Sequence, residues 1–166
     1  MEKSFGIILD LSLAHEADGR RRLDYVKDKL VEFVKKHVDD VEDSMYFYHP
    51  TVSEMMYKNG DEVSAISNYE TDGWSFNISN ALKQTVYVLG AEDPDFVKTV
   101  LLFTDRIEDV FALKKILKIN QANDCGCRFA VIGIGGRYAK GAVEEFANEH
   151  SEQVAFRHCD KGQDVD

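Results

Sequence analysis

Phe5-Gly-Ile-Ile-Leu-Asp10-Leu-Ser12-Leu-Ala14 is an apolar run that ends on an acid and a hydroxyl. Past the middle of the chain, Val100-Leu-Leu-Phe-Thr104-Asp105-Arg106 repeats the pattern. Apolar runs of this length, bounded by polar residues, read as strands buried on both faces. Each is followed by apolar residues at helical spacing, and strand followed by helix is the repeating unit of a parallel sheet. Ligands of open α/β sheets bind outside the carboxyl ends of the strands. Two strands that stop on aspartate therefore bring Asp10 and Asp105 to one working edge.

Outward from these runs, residues 4–13 are predicted as the first strand. A helix follows, with Leu23, Val26, Leu30, Val34 and Val38 on one stripe. Residues 44–49 form a short aromatic strand stopped at Pro50, and 51–60 are rich in turn residues. Asn59-Gly60-Asp61 is a hairpin signal, so 62–68 is predicted as a second strand and an antiparallel edge. A polar loop spans 69–76. Helices marked by Ile78 to Leu89, Val110 to Ile119 and Val143 to Glu149 alternate with strands at 98–104, 128–134 and 154–158. The predicted fold is α/β, a doubly wound, mostly parallel sheet with one antiparallel edge strand and helices on both faces. Residues 1–159 read as a single domain and 160–166 as a loose polar tail.

The bulk composition of the 166-residue chain, 44% hydrophobic and 30% charged, is that of an ordinary soluble protein. No apolar stretch is long enough to cross a bilayer. Met1-Glu-Lys-Ser does not open a secretory leader, so a cytoplasmic location is expected. A net charge of −10 argues against direct nucleic-acid binding, which depends on Lys and Arg. Cys125, Cys127 and Cys159 are an odd set without zinc spacing and read as reduced thiols. Gly133-Ile-Gly135-Gly136 lacks the full dinucleotide fingerprint.

The order of elements resembles the von Willebrand factor A-type domain. The likeness rests on Asp10-Leu-Ser12-Leu-Ala14 against that family's Asp-x-Ser-x-Ser and on Asn77-Ile78-Ser-Asn-Ala81-Leu82 against the helix after its threonine loop. Phe103-Thr104-Asp105-Arg106 stands against its strand ending in Thr-Asp-Gly. In that family these loops build a metal-ion-dependent adhesion site, in which hydroxyls and aspartates hold Mg²⁺ and a partner's carboxylate completes the octahedron. Carried over residue by residue, Asp10, Ser12 and Asp105 are present, the second serine is Ala14, and the threonine falls at Phe76 beside Ser75. The resemblance thus implies a degenerate site. No metal or other cofactor is expected, and Mg²⁺ would be left with Asp10, Ser12, Ser75 and Asp105.

Two aspartates at one edge repel unless a positive charge lies between them. Arg106 is placed by sequence to pair with Asp10 or Asp105. Five of the seven arginines, Arg20, Arg21, Arg22, Arg106 and Arg137, fall at the carboxyl edge, which predicts a locally basic face. With His15, Trp74 and Ser75, and with Asp10, Ser12 and Asp105, they form the candidate binding surface. His15 has no nucleophile at a recognisable spacing, so catalysis is not expected. The expected function is a non-catalytic protein-interaction module, in its narrowest form a phage-like modulator that binds a host regulator. The competing expectation is a Mg²⁺-dependent ligand-binding domain.

Overall fold

The computed structural model describes residues 2–38, 43–49, 54–57, 62–70 and 77–165. Its centre is β1 (Lys3–Asp10), buried along nearly its whole length. It lies between β2 (Ser44–His49) and β4 (Val97–Thr104), parallel to both. β5 (Cys127–Ile134) and β6 (Val154–Cys159) extend the parallel sheet on the far side of β4. A short strand, β3 (Glu54–Tyr57), runs antiparallel against β2, giving the order β3-β2-β1-β4-β5-β6.

Helices cover both faces, as buried parallel strands require. On one side α1 (Arg22–His37) packs through Leu23, Val26, Leu30 and Val34 onto Phe5, Ile7 and Leu9 of β1 and Met45 and Phe47 of β2. On the other, α3 (Ile78–Gly90), α4 (Phe111–Ala122) and α5 (Lys140–Glu149) close over Ile8, Val100, Leu102, Phe129 and Val131. Gly6 makes this second layer possible, because a Cβ there would stand 2.2 Å from the Thr85 methyl of α3. The alternation along β1 thus serves two cores at once.

Two expectations are corrected. Residues 62–68, predicted as a strand, form the helix α2 (Glu62–Asn68). Val63 and Ile66 are three residues apart and pack with α1, where Ile66 is fully buried, and a segment this short takes its structure from the surface it meets. The strand beside β2 comes instead from Glu54–Tyr57, and the predicted Asn59-Gly60-Asp61 hairpin lies outside the described residues. The tail is the second correction. Residues 162–164 make a 3₁₀ turn against α1, Val165 is buried, and the Gly162 amide donates to Glu16 Oε1 at 3.0 Å. One apolar residue near the end of a polar segment is enough to dock it.

Among the described residues, no helix is long and apolar enough to cross a membrane. All three cysteines are free thiols and buried. Burial pushes the Cys127 thiol up to about 12, so it stays protonated and unreactive at neutral pH.

Candidate functional site

The register of the central strands sets the site. Asp10 lies directly across from Thr104, so β1 and β4 end level and the next residue, Asp105, projects beyond them. The Asp105 amide donates to the Asp10 carbonyl at 3.3 Å, holding the two chain ends together. Both carboxylates are nearly sealed, with side-chain exposures of 6% for Asp10 and 1% for Asp105. Buried carboxylates of this kind need positive or hydrogen-bonding partners.

Each has its own arginine. Arg106 Nε donates to Asp10 Oδ1 at 2.8 Å, and Thr104 Oγ1 donates to Asp10 Oδ2 at 2.9 Å. Thr104 Oγ1 also accepts from the Arg106 and Ile107 amides, so one hydroxyl both supports the acid and shapes the loop. Arg22 Nη1 donates to Asp105 Oδ2 at 2.9 Å, while Arg22 Nε reaches Glu16 Oε1 at 2.7 Å. Ser12 completes the cage around Asp105: its amide meets Oδ1 at 2.9 Å and its hydroxyl donates to Oδ2 at 2.6 Å. The Ser12 oxygen accepts in turn from the Ala14 amide at 3.3 Å. Burial raises the Asp10 carboxyl above its usual value of 3.8, and the Arg106 contact opposes that rise.

Arg22 reaches Asp105 because Gly135 leaves it room. A Cβ on Gly135 would stand 3.0 Å from Nη2 of the guanidinium, and its φ of 82° is one that side chains rarely adopt. The glycine-ended β5 therefore serves an ion pair rather than a phosphate.

These contacts do not suit a hard dication. Near-octahedral Mg²⁺ needs several free oxygens. Here every oxygen of Asp10 and Asp105 already accepts a hydrogen bond, the Ser12 hydroxyl is used in both directions, and Ala14 offers nothing. Two guanidinium groups stand where a metal would need open carboxylate.

The other expected residues divide. Arg20 pairs with Asp28 at 2.7 Å, and Arg21 pairs with Asp24 at 2.9 Å and Glu70 at 3.1 Å. The anticipated basic face is thus not basic, because four of its five arginines are matched by acids brought in from loops and helices. Arg137 and His15 are exposed. Both line a cleft of about 460 Å³ with Ser12, Ala14, Arg22 and Arg106. Trp74, Ser75 and Phe76 lie outside the described residues.

One cluster escaped the reading of the sequence. Tyr138, buried beneath the loop after β5, shares a 2.6 Å hydrogen bond with His158 Nδ1, and His158 Nε2 lies 2.9 Å from Asp160. Burial pushes the Tyr138 hydroxyl up to about 12, so it keeps its proton at neutral pH. Tyr138 stands 20 residues from His158 in the chain, and the pairing of β5 with β6 brings the two together.

No protein-family model and no curated protein matches this chain. Solved structures do. A von Willebrand factor type A protein from Catenulispora acidiphila superposes with a TM-score of 0.66 at 16% identity, over 95% of this chain and 38% of that one. BatB from Bacteroides thetaiotaomicron does so at 0.65 and 15%, over 96% and 91%. Proximal thread matrix protein 1 from the mussel byssus, solved with a zinc-occupied adhesion motif, gives 0.64 and 17%, over 95% and 44%. The chain therefore spans less than half of two of these three proteins. The fold is that of the von Willebrand factor A domain.

Proposed function

We propose that this chain is a non-catalytic protein-interaction domain whose carboxyl-edge loops meet a protein partner without a bridging metal. The observation that carries the reading is the pair of ion-paired aspartates. Arg106 on Asp10 and Arg22 on Asp105 supply from within the protein the positive charge that a cation would bring. The fold supports the same reading, since domains of this shape commonly serve as interaction modules.

In this proposal the adhesion site is degenerate, and its residues hold the loops in place instead of chelating. The arginines and aspartates fix the base of the cleft, while the exposed Arg137 and His15 at its rim are available to a partner. The protein works in the cytoplasm as a regulatory adaptor, and a host regulator bound by a phage-type modulator is the narrowest form of the idea. Affinity capture from the native host's lysate, with Mg²⁺ and separately with EDTA, tests it. A protein retained equally in both, and released by Arg137→Glu, is the expected result. A partner lost only in EDTA would overturn the metal-free reading.

A further inference from the structure

The most unusual charge distribution lies away from this site, on α3 and α4. Every α3 and α4 residue is free of Asp and Glu, yet the two helices carry four lysines, Lys83, Lys114, Lys115 and Lys118. At the chain's overall rate of 30 acids in 166 residues, helices of this combined length would hold about four or five. All four lysines are exposed, and among the described residues none has a carboxylate within ion-pair distance. The contrast with the arginines is direct, since four of those at the carboxyl edge are paired.

Each of the two helices also carries an aromatic ring that is among the most exposed of the described residues. Phe111 is 73% exposed and Tyr87 is 45% exposed. On α4, Phe111 and Lys115 lie one turn apart opposite the buried Leu113, Ile116 and Asn120. On α3, Ser79, Lys83 and Tyr87 lie one turn apart beside the buried Leu82, Val86 and Leu89, and the Lys83 ammonium lies 6.0 Å from the Tyr87 ring. Between the two stripes runs a shallow groove lined by Ser79, Lys83, Ala112, Lys115 and Ile119. Lys114 and Lys118 turn towards the opposite side, into a cleft that also holds Glu149 and Glu152, so the uncompensated pair is Lys83 and Lys115.

Exposed aromatic rings flanked by unpaired cations are an interface signature, because the rings gain from burial and the cations set the partner's charge. We propose that the α3–α4 face is a second docking surface, and that its occupant is an acidic, amphipathic segment of a protein. Charge complementarity selects the partner. A polyanion such as nucleic acid would meet the repulsion of a protein carrying a net charge of −10, whereas a short acidic segment places a few carboxylates on Lys83 and Lys115 and apolar side chains on Tyr87 and Phe111. This surface is separate from the carboxyl-edge cleft, so it stands or falls independently of the metal-free reading.

The test uses three fluorescent probes on the intact chain: an amphipathic helical peptide with glutamates on one face and leucine and phenylalanine on the other, the same peptide with lysine for each glutamate, and a single-stranded oligonucleotide. The acidic peptide is expected to bind saturably, to weaken as salt rises, and to shift the amide resonances of Lys83, Tyr87, Phe111 and Lys115. The K83E/K115E variant should weaken it about tenfold or more, and Y87S/F111S should weaken it without changing its salt dependence. Both variants alter exposed positions, and unchanged circular dichroism and melting confirm that they fold. Equal binding of the lysine peptide, tighter binding of the oligonucleotide, shifts confined to other surfaces, or no saturable binding of the acidic peptide would overturn the proposal.

Discussion

Arg22 shows how much a single side chain can decide. Its guanidinium bridges Glu16 and Asp105, and the Asp105 side chain is only 1% exposed. Removing one partner of such a pair leaves an uncompensated buried charge, so Arg22→Ala is expected to cost about 3 kcal/mol in urea denaturation. Arg20, two residues earlier, pairs with Asp28 across a largely exposed contact, and Arg20→Ala should leave the denaturation midpoint almost unchanged. Equal losses for the two variants would contradict the description of the site. In the sequence these arginines stand in one uniform run, and nothing in it tells the inward one from its neighbours. Arg106 was more legible: it directly follows an acid at a strand end, and two converging carboxylates call for a counter-charge. Which carboxylate it takes is decided by the Asp10–Thr104 register.

Individual elements were legible in proportion to their length. The long apolar runs of β1 and β4 and the stripes of α1, α3 and α4 stand out because their periodicity repeats over several turns or alternations. α2 has only seven residues, and its Val63, Ala65 and Ile66 satisfy either period. Contact with α1 chose the helix. The 3₁₀ turn Gly162–Asp164 was missed for a related reason, since its docking rests on the Gly162 amide, buried Val165 and a carboxylate from residue 16. Truncation after Asp160 exposes that contact and should cost about 2 kcal/mol, an apolar side chain's burial together with a charged hydrogen bond. Thermal unfolding of the truncated chain checks this, and an unchanged midpoint would show that the turn contributes nothing.

At the scale of the whole molecule, two faces carry their charge differently. A chain with a net charge of −10 pairs four arginines with acids at the carboxyl edge, whereas α3 and α4 carry four lysines and no acid. That second feature could have been found by counting acids in each predicted helix, but reading the chain for motifs passes over it, because an absence of carboxylates makes no motif. The likeness to the von Willebrand factor A domain drew attention to Asp10, Ser12 and Asp105, and the fold places them together at the strand ends. Their contacts, however, run to arginines. The most direct measurement is isothermal titration of the purified protein with Mg²⁺, paired with melting curves in Mg²⁺ and in EDTA. No saturable heat and identical melting midpoints are the predicted result. Saturable Mg²⁺ uptake that raises the midpoint, and that Asp105→Asn abolishes, would contradict a site closed by its own arginines.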